Sequence, residues 1–174
     1  MAGLPGTGKT TLARELARLT SGRVLSKDEF RHAIFAADEI EYSSRQDDFV
    51  MKLILDTAEY LTLRNRDRRI ILDGRPFSCR YQIENAIAAA QSMLQPWRII
   101  ECICAEKTAR TRIEADAAEK SHTAGNRDFQ LYLDVKARFE AIAFPKIVID
   151  TDQRVDVCGA RALENLNHRA HRGT

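Results

Sequence analysis

Residues 3–10 read Gly3-Leu4-Pro5-Gly6-Thr7-Gly8-Lys9-Thr10 and satisfy G-x-x-x-x-G-K-[ST] at every fixed position. Its glycines let the backbone curl so that successive N–H groups point inward, the arrangement that cradles phosphate oxygens. An apolar-periodic segment, Lys9 to Thr20, follows at once with Leu12, Leu16 and Leu19 on one face. A helix amino terminus therefore adds its dipole to the same anion site. With glycine near 7% of average sequence, a chance match in a chain this short is on the order of 1% or less. The expected nucleotide contacts are Gly3, Pro5, Gly6, Thr7, Gly8, Lys9, Thr10 and Thr11. Lys9 is placed to reach the β- and γ-phosphates of ATP, and the Thr10 hydroxyl to sit on Mg²⁺.

Outward from this loop, short apolar runs alternate with helical periodicity. Strands are expected at Arg23–Ser26, Arg69–Asp73, Arg98–Cys104 and Lys146–Asp150. Helices are expected at Glu29–Ala36, Ser44–Asn65, Arg80–Leu94, Glu106–Glu119, Phe129–Ile142 and Val155–His168. Strands separated by helices pair in parallel through right-handed crossovers, which predicts an α/β doubly wound sheet in a single domain over 1–174. The polar run Lys120–Asp128 interrupts this alternation and reads as a mobile loop within a lid region over about 106–141.

Composition excludes several classes. Hydrophobic residues make up 44% and charged residues 30%, a balance that buries a core rather than leaving a disordered chain. No apolar run reaches the ~18 residues of a membrane span, so no membrane partner is expected. The net charge of +2 excludes a strongly basic nucleic-acid arm. Cys79, Cys102, Cys104 and Cys158 form no C-x-x-C pair and no zinc spacing, which places the chain in a reducing, cytoplasmic compartment.

Water-activating chemistry lacks its parts. Ile70-Ile71-Leu72-Asp73 ends in a carboxylate followed by Gly74 and Arg75, without the Glu that orients water in a hydrolase. No guanine-reading Asn/Thr-Lys-x-Asp element follows a late strand, and no length remains for the helical lid of an oligomeric motor. Transfer to a bound acceptor fits better. Ser26-Lys27-Asp28-Glu29-Phe30-Arg31 stands at the carboxyl end of the expected strand Arg23–Ser26, the edge where open α/β sheets bind ligands. Asp28 there takes the proton of an attacking hydroxyl, or it caps the helix beginning at Glu29. Arg31, one helical turn on, grips an acceptor phosphate or carboxylate, or is merely solvated. Asp73 holds Mg²⁺ through water, or it is a turn residue before Gly74. Arg75 and Arg80 line the acceptor side or lie on the surface. Arg110 and Arg112, two apart, cannot share a helix face, and Arg112 with Arg127 is the expected lid pair that stabilises the γ-phosphoryl group.

These residues together resemble the small P-loop kinases often labelled AAA-family ATPases or predicted kinases. Polynucleotide 5′-hydroxyl kinases, gluconate kinases and chloramphenicol phosphotransferases are the wider relatives. The resemblance runs from Gly3 to about Thr151 and is strongest in Gly3–Ala13 and Leu25–Arg31. It implies strand order 2-3-1-4-5, ATP and Mg²⁺ as cofactors, and a hydroxyl acceptor: a small polar alcohol, or a nucleoside or polynucleotide 5′-hydroxyl. It matches Asp28 to the acceptor-activating aspartate and Arg31 to the arginine after it. It matches Asp73 to the carboxylate after the third strand and Arg112 to a lid arginine. Two departures stand out: Arg75 where the family commonly has Thr or Asn, and Asp116 where it often has a further lid arginine. The first changes acceptor choice, and the second weakens γ-phosphate stabilisation. A non-catalytic ATP-binding module and a slow, partner-stimulated ATPase are the alternatives.

The loop's own strand, of about five residues, ordinarily precedes its first glycine. Only Met1 and Ala2 stand there. The expectation is a first, central strand missing or truncated between the third and fourth, in a chain whose natural start lies upstream.

Overall fold

In the computed structural model, which describes residues 1–118 and 128–170, the alternation read from the sequence becomes a layered α/β fold. The elements are α1 (Lys9–Thr20), β1 (Arg23–Ser26), α2 (Lys27–Ile34), a 3₁₀ turn (Ala37–Glu39) and α3 (Ser44–Arg64). They continue with β2 (Ile70–Asp73), α4 (Arg80–Ser92), β3 (Ile99–Ile103), α5 (Glu106–Ala118), α6 (Phe129–Ala137), β4 (Lys146–Asp150) and α7 (Val155–Ala170). No helix among the described residues is long and apolar enough to cross a membrane.

The strands form two parallel pairs. β1 lies on β2 with Ser26 opposite Asp73, and β3 lies on β4 with Ile103 opposite Asp150. Residues 1–3 run between the two pairs. The Met1 ammonium donates to Leu72 O at 2.9 Å on the β2 side. On the other side Ala2 N donates to Ile100 O at 2.8 Å, and Cys102 N donates to Ala2 O at 2.9 Å. Gly3 N then donates to Pro76 O at 3.0 Å. The order across the molecule is β1, β2, residues 1–3, β3, β4, the 2-3-1-4-5 arrangement with a single parallel bridge, Ala2 to Glu101, in the central place.

Strand alternation divides the core in two. On one side Leu25, Ile70 and Leu72 meet Val50, Met51, Ile54 and Ala58 of α3, with Ile83 of α4 and Phe77. On the other, Ile71, Ile100, Cys102, Ile147 and Ile149 meet Leu12 and Leu16 of α1 and Cys158 and Ala162 of α7. Several helix limits differ from the sequence expectation by a residue or more, two of them for a visible reason. α2 starts two residues early because Ser26 is its cap, its hydroxyl accepting from Glu29 N. α6 ends at Ala137 rather than Ile142, because Phe139, Ile142 and Phe144 leave the helical path to pack against the α3 core.

All four cysteines are free thiols, and Cys102 is fully enclosed among apolar neighbours. Burial pushes its thiol up to about 11 from 9.0. Between those values the unfolded chain gives up this proton while the folded chain keeps it. Stability therefore falls as pH rises through that window. The free energy of unfolding from urea denaturation is expected to fall by roughly 1.5 kcal/mol between about pH 9 and pH 10.5 through this group, and Cys102→Ala to show a flatter profile.

Candidate functional site

The loop between Ala2 and α1 owes its shape to crowding as much as to curvature. Gly3 has φ +130°, and a Cβ there would stand 2.3 Å from Cys102 O of β3. At Gly6, φ is +74°, and a Cβ would meet Ala109 O of α5 at 2.7 Å. Only glycine tolerates both the backbone angle and the approach. Thr7 closes the turn, its Oγ1 donating to Leu4 O at 2.8 Å, and Lys9 Nζ donates to the same carbonyl at 2.7 Å. α1 begins at Gly8 in left-handed conformation, with no side-chain cap and no acidic residue in its first turn. Its first N–H groups and positive dipole end are thus kept for an anion from outside the helix.

Asp73 ends β2 beside this loop. It is 2% exposed, and neither carboxylate oxygen has a hydrogen-bond partner. A buried carboxylate without a donor is costly unless a cation meets it. That is the donor chemistry of a ligand to a hard divalent ion, and the residue fits Mg²⁺. Among the described residues no group of three or more His, Cys, Asp or Glu converges on a metal position. Asp73 and the Thr10 hydroxyl are the residues that would hold such an ion. As the alternative reading has it, Asp73 does precede a turn at Gly74, with φ +92°.

Asp28 stands at the end of the neighbouring strand, two residues beyond the Ser26–Asp73 pair. Because Ser26 caps α2, Asp28 lies inside the first helical turn, which removes the reading of it as the cap. Its Oδ1 accepts from Arg31 NH1 at 3.1 Å, and its side chain stays 12% exposed. Arg31 is enclosed with it, and its Nε alone has no hydrogen-bond partner. It is 1% exposed, hydrogen-bonded to Asp28 and to Asp47, with its guanidinium 5.0 Å from the Tyr42 ring. Arg75 is likewise buried, 2.7 Å from Asp48 and donating to Tyr81 OH at 3.2 Å. The structure buries both arginines in ion pairs within the chain, so neither is the solvated surface residue that one reading offered.

Lys27, Asp47, Asp48 and Tyr81 were not singled out from the sequence. Lys27 Nζ donates to Asp47 Oδ2 at 2.8 Å, and burial pushes the ammonium down from its usual value while Asp47 pulls it back up. One signal for Asp47 was readable. It precedes Val50, Ile54 and Ala58 at helical spacing, so this carboxylate sits on the buried stripe of α3.

Arg112 and Arg110 diverge as their spacing demands. Arg110 lies 3.7 Å over the Phe129 ring. Arg112 reaches the phosphate-binding loop, where NH1 lies 3.4 Å from Gly6 O and 3.2 Å from Thr151 Oγ1, and NH2 donates to Thr151 O at 2.7 Å. The Thr151 hydroxyl sits 3.0 Å from Thr7 O and 3.1 Å from Ile103 O, tying this loop to the ends of β3 and β4. Asp152 accepts from Ala105 N at 2.9 Å, and that bond holds its carboxyl below the usual range. Ala109, Ile113 and Tyr132 of α5 and α6 pack over Leu4, so these two helices rest on the loop. Arg127 and the polar run Lys120–Arg127 lie outside the described residues.

The family model described as "AAA domain" matches residues 1–142. Solved structures with the same fold include an APS kinase of Mycobacterium tuberculosis in complex with AMPPNP and APS. It is 15% identical with TM-score 0.70, covering 95% of this chain and 94% of that one. A gluconokinase from Sinorhizobium meliloti is 13% identical with TM-score 0.66, covering 98% and 91%. Kti12 of Chaetomium thermophilum in complex with ADP-AlF₃ is 15% identical with TM-score 0.65, covering 95% and 94%. A search of curated proteins finds no match. At these identities the likeness is one of fold, the P-loop kinase type.

Proposed function

The chain belongs to the AAA domain family, and on that premise we propose that it is an ATP- and Mg²⁺-dependent phosphotransferase acting on a hydroxyl acceptor. The observation that carries this reading is Asp28, a partly exposed carboxylate held by a buried arginine at the strand end next to Asp73 and the phosphate-binding loop. The loop and the α1 amino terminus bind the phosphates, and Lys9 offsets charge on the β- and γ-groups. Asp28 orients the acceptor hydroxyl and takes its proton as the oxygen bonds to the γ-phosphorus. The bond from that phosphorus to the β–γ bridging oxygen breaks, and its electron pair leaves with ADP. Bound Mg²⁺, held by Asp73 and Thr10, would neutralise charge on the transferring phosphates. Arg112 keeps the carbonyl side of the loop fixed to Thr151 and so positions it. The kinase-type neighbours support the reaction class.

A second reading, an ATP-binding module without transfer, is favoured by the commitment of Arg112 to Gly6 and Thr151. Labelled ATP incubated with the protein and a panel of alcohols, sugars and nucleosides separates the two. Transfer of label to an acceptor is the expected result. Tight ATP binding with no labelled acceptor, or phosphate released only to water and unaffected by Asp28→Ala, would overturn it.

A further inference from the structure

The acceptor side holds three buried cations, and each already faces a carboxylate of the same chain. Lys27, Arg31 and Arg75 have side chains 8%, 1% and 5% exposed. Their partners are Asp47 for Lys27, Asp28 and Asp47 for Arg31, and Asp48 for Arg75. Two of these carboxylates come from the start of α3, far along the chain from the cations they meet. Asp47 also lies in the first turn of that helix, where the dipole favours negative charge.

The count has a chemical consequence. Three cations are balanced by Asp28, Asp47 and Asp48, and Asp73 adds a further carboxylate, buried and without a hydrogen-bond partner. A phosphate or carboxylate on an acceptor finds no surplus positive charge here. To gain a full counter-charge it must draw a cation away from Asp47 or Asp48, setting that carboxylate against the incoming anion, an unfavourable exchange beside buried cations. An uncharged polyol carries no such penalty, because its hydroxyls donate to the oxygens of Asp28 and Asp48 and exchange bonds with Tyr81 OH. Tyr81 OH lies 3.3 Å from Asp48 Oδ2 and is partly exposed, so it stands at the mouth of this group.

We propose that Asp47 and Asp48, by neutralising Lys27, Arg31 and Arg75, set the acceptor selectivity of the site for an uncharged polyhydroxyl compound against phosphate- or carboxylate-bearing ones. This rests on the phosphotransferase reading and narrows it. The step is unchanged: the acceptor oxygen bonds to the γ-phosphorus, its proton passes to Asp28, and ADP leaves with the electron pair of the broken bond.

The test uses the full chain with labelled ATP and acceptors in matched pairs, D-glucose against D-gluconate and adenosine against 3′-AMP. Wild-type protein is expected to prefer the uncharged member by about tenfold or more in kcat/KM. Asp48→Asn, which frees Arg75 while keeping the side-chain shape, is expected to lower KM for the anionic member and shrink that preference about tenfold. A thermal melt confirms that the variant is folded. Preference of the wild type for the anionic member overturns the proposal while leaving the transferase reading intact. So does an unchanged ratio in folded Asp48→Asn. Label appearing only as inorganic phosphate across the panel overturns both.

Discussion

Asp28→Asn is expected to lower kcat for phosphoryl transfer by about 10²–10⁴-fold while ATP affinity stays within about twofold. The amide keeps the shape of the carboxylate and an oxygen for Arg31 NH1, which now stands 3.1 Å away. It cannot take a proton from an attacking hydroxyl at neutral pH. Arg31 retains Asp47, so the buried guanidinium is not left without a counter-charge. Single-turnover transfer and equilibrium nucleotide binding, measured on the same preparation, check this. A structural role alone would appear as a fall in melting temperature with kcat nearly unchanged, and that result would remove Asp28 from the chemistry.

Gly3→Ala is expected to cost about 3–5 kcal/mol of folding stability and to abolish nucleotide binding in whatever folded fraction remains. The new methyl group would meet Cys102 O at 2.3 Å, and this oxygen belongs to strand backbone rather than to a side chain that can swing away. Cys102 is held from its amide as well, because Cys102 N donates to Ala2 O at 2.9 Å. Relief by retreat of Gly3 would break its bond to Pro76 O, at 3.0 Å. Since total stability of a domain is about 5–15 kcal/mol, such a loss is a large share of it. Urea denaturation with and without ATP measures both effects. A loss under about 1 kcal/mol would show that the loop accommodates a side chain there.

Much of this architecture was legible from local pattern. Leu12 and Leu16 mark the buried face of α1, and the apolar runs ending at Asp73 and Asp150 are strands whose neighbours meet in parallel. The resemblance also placed residues 1–3 correctly between the third and fourth strands of its numbering. The loop glycines and Lys9 were legible because backbone curvature constrains residue type at fixed spacing. The acceptor side was less so. Beyond the short step from Asp28 to Arg31, its ion pairs reach across 16 positions and more, such as Arg31 to Asp47 and Arg75 to Asp48, and no local spacing rule relates such pairs. An arginine near a strand end reads the same whether it is open or enclosed, and only packing shows that Arg31 and Arg75 are enclosed. Ser26 displaced Asp28 as the α2 cap because two competent capping residues stood two positions apart, and the pairing of Ser26 with Asp73 decided which one held the helix end. The tie from Thr151 to Thr7 spans 144 residues and carries no local signature beyond a Thr after a strand.

Residues 1–3 also bear on the order of folding. Met1 reaches Leu72 across 71 positions, and Ala2 bonds to Ile100 and Cys102 across a still longer stretch of chain. Ala2 belongs to the core under α3, while Met1 packs against the core under α1 and α7. Contacts between such distant partners carry the loop-closure entropy of the whole intervening chain, whereas pairs such as β3 with β4 close shorter loops. The joining of the two half-sheets through this segment is therefore a late event. Since Gly3 opens the phosphate-binding loop, competence to hold a nucleotide arrives only with that joining. A nucleotide that binds only the joined form then favours it by mass action, acting as a latch on the completed fold.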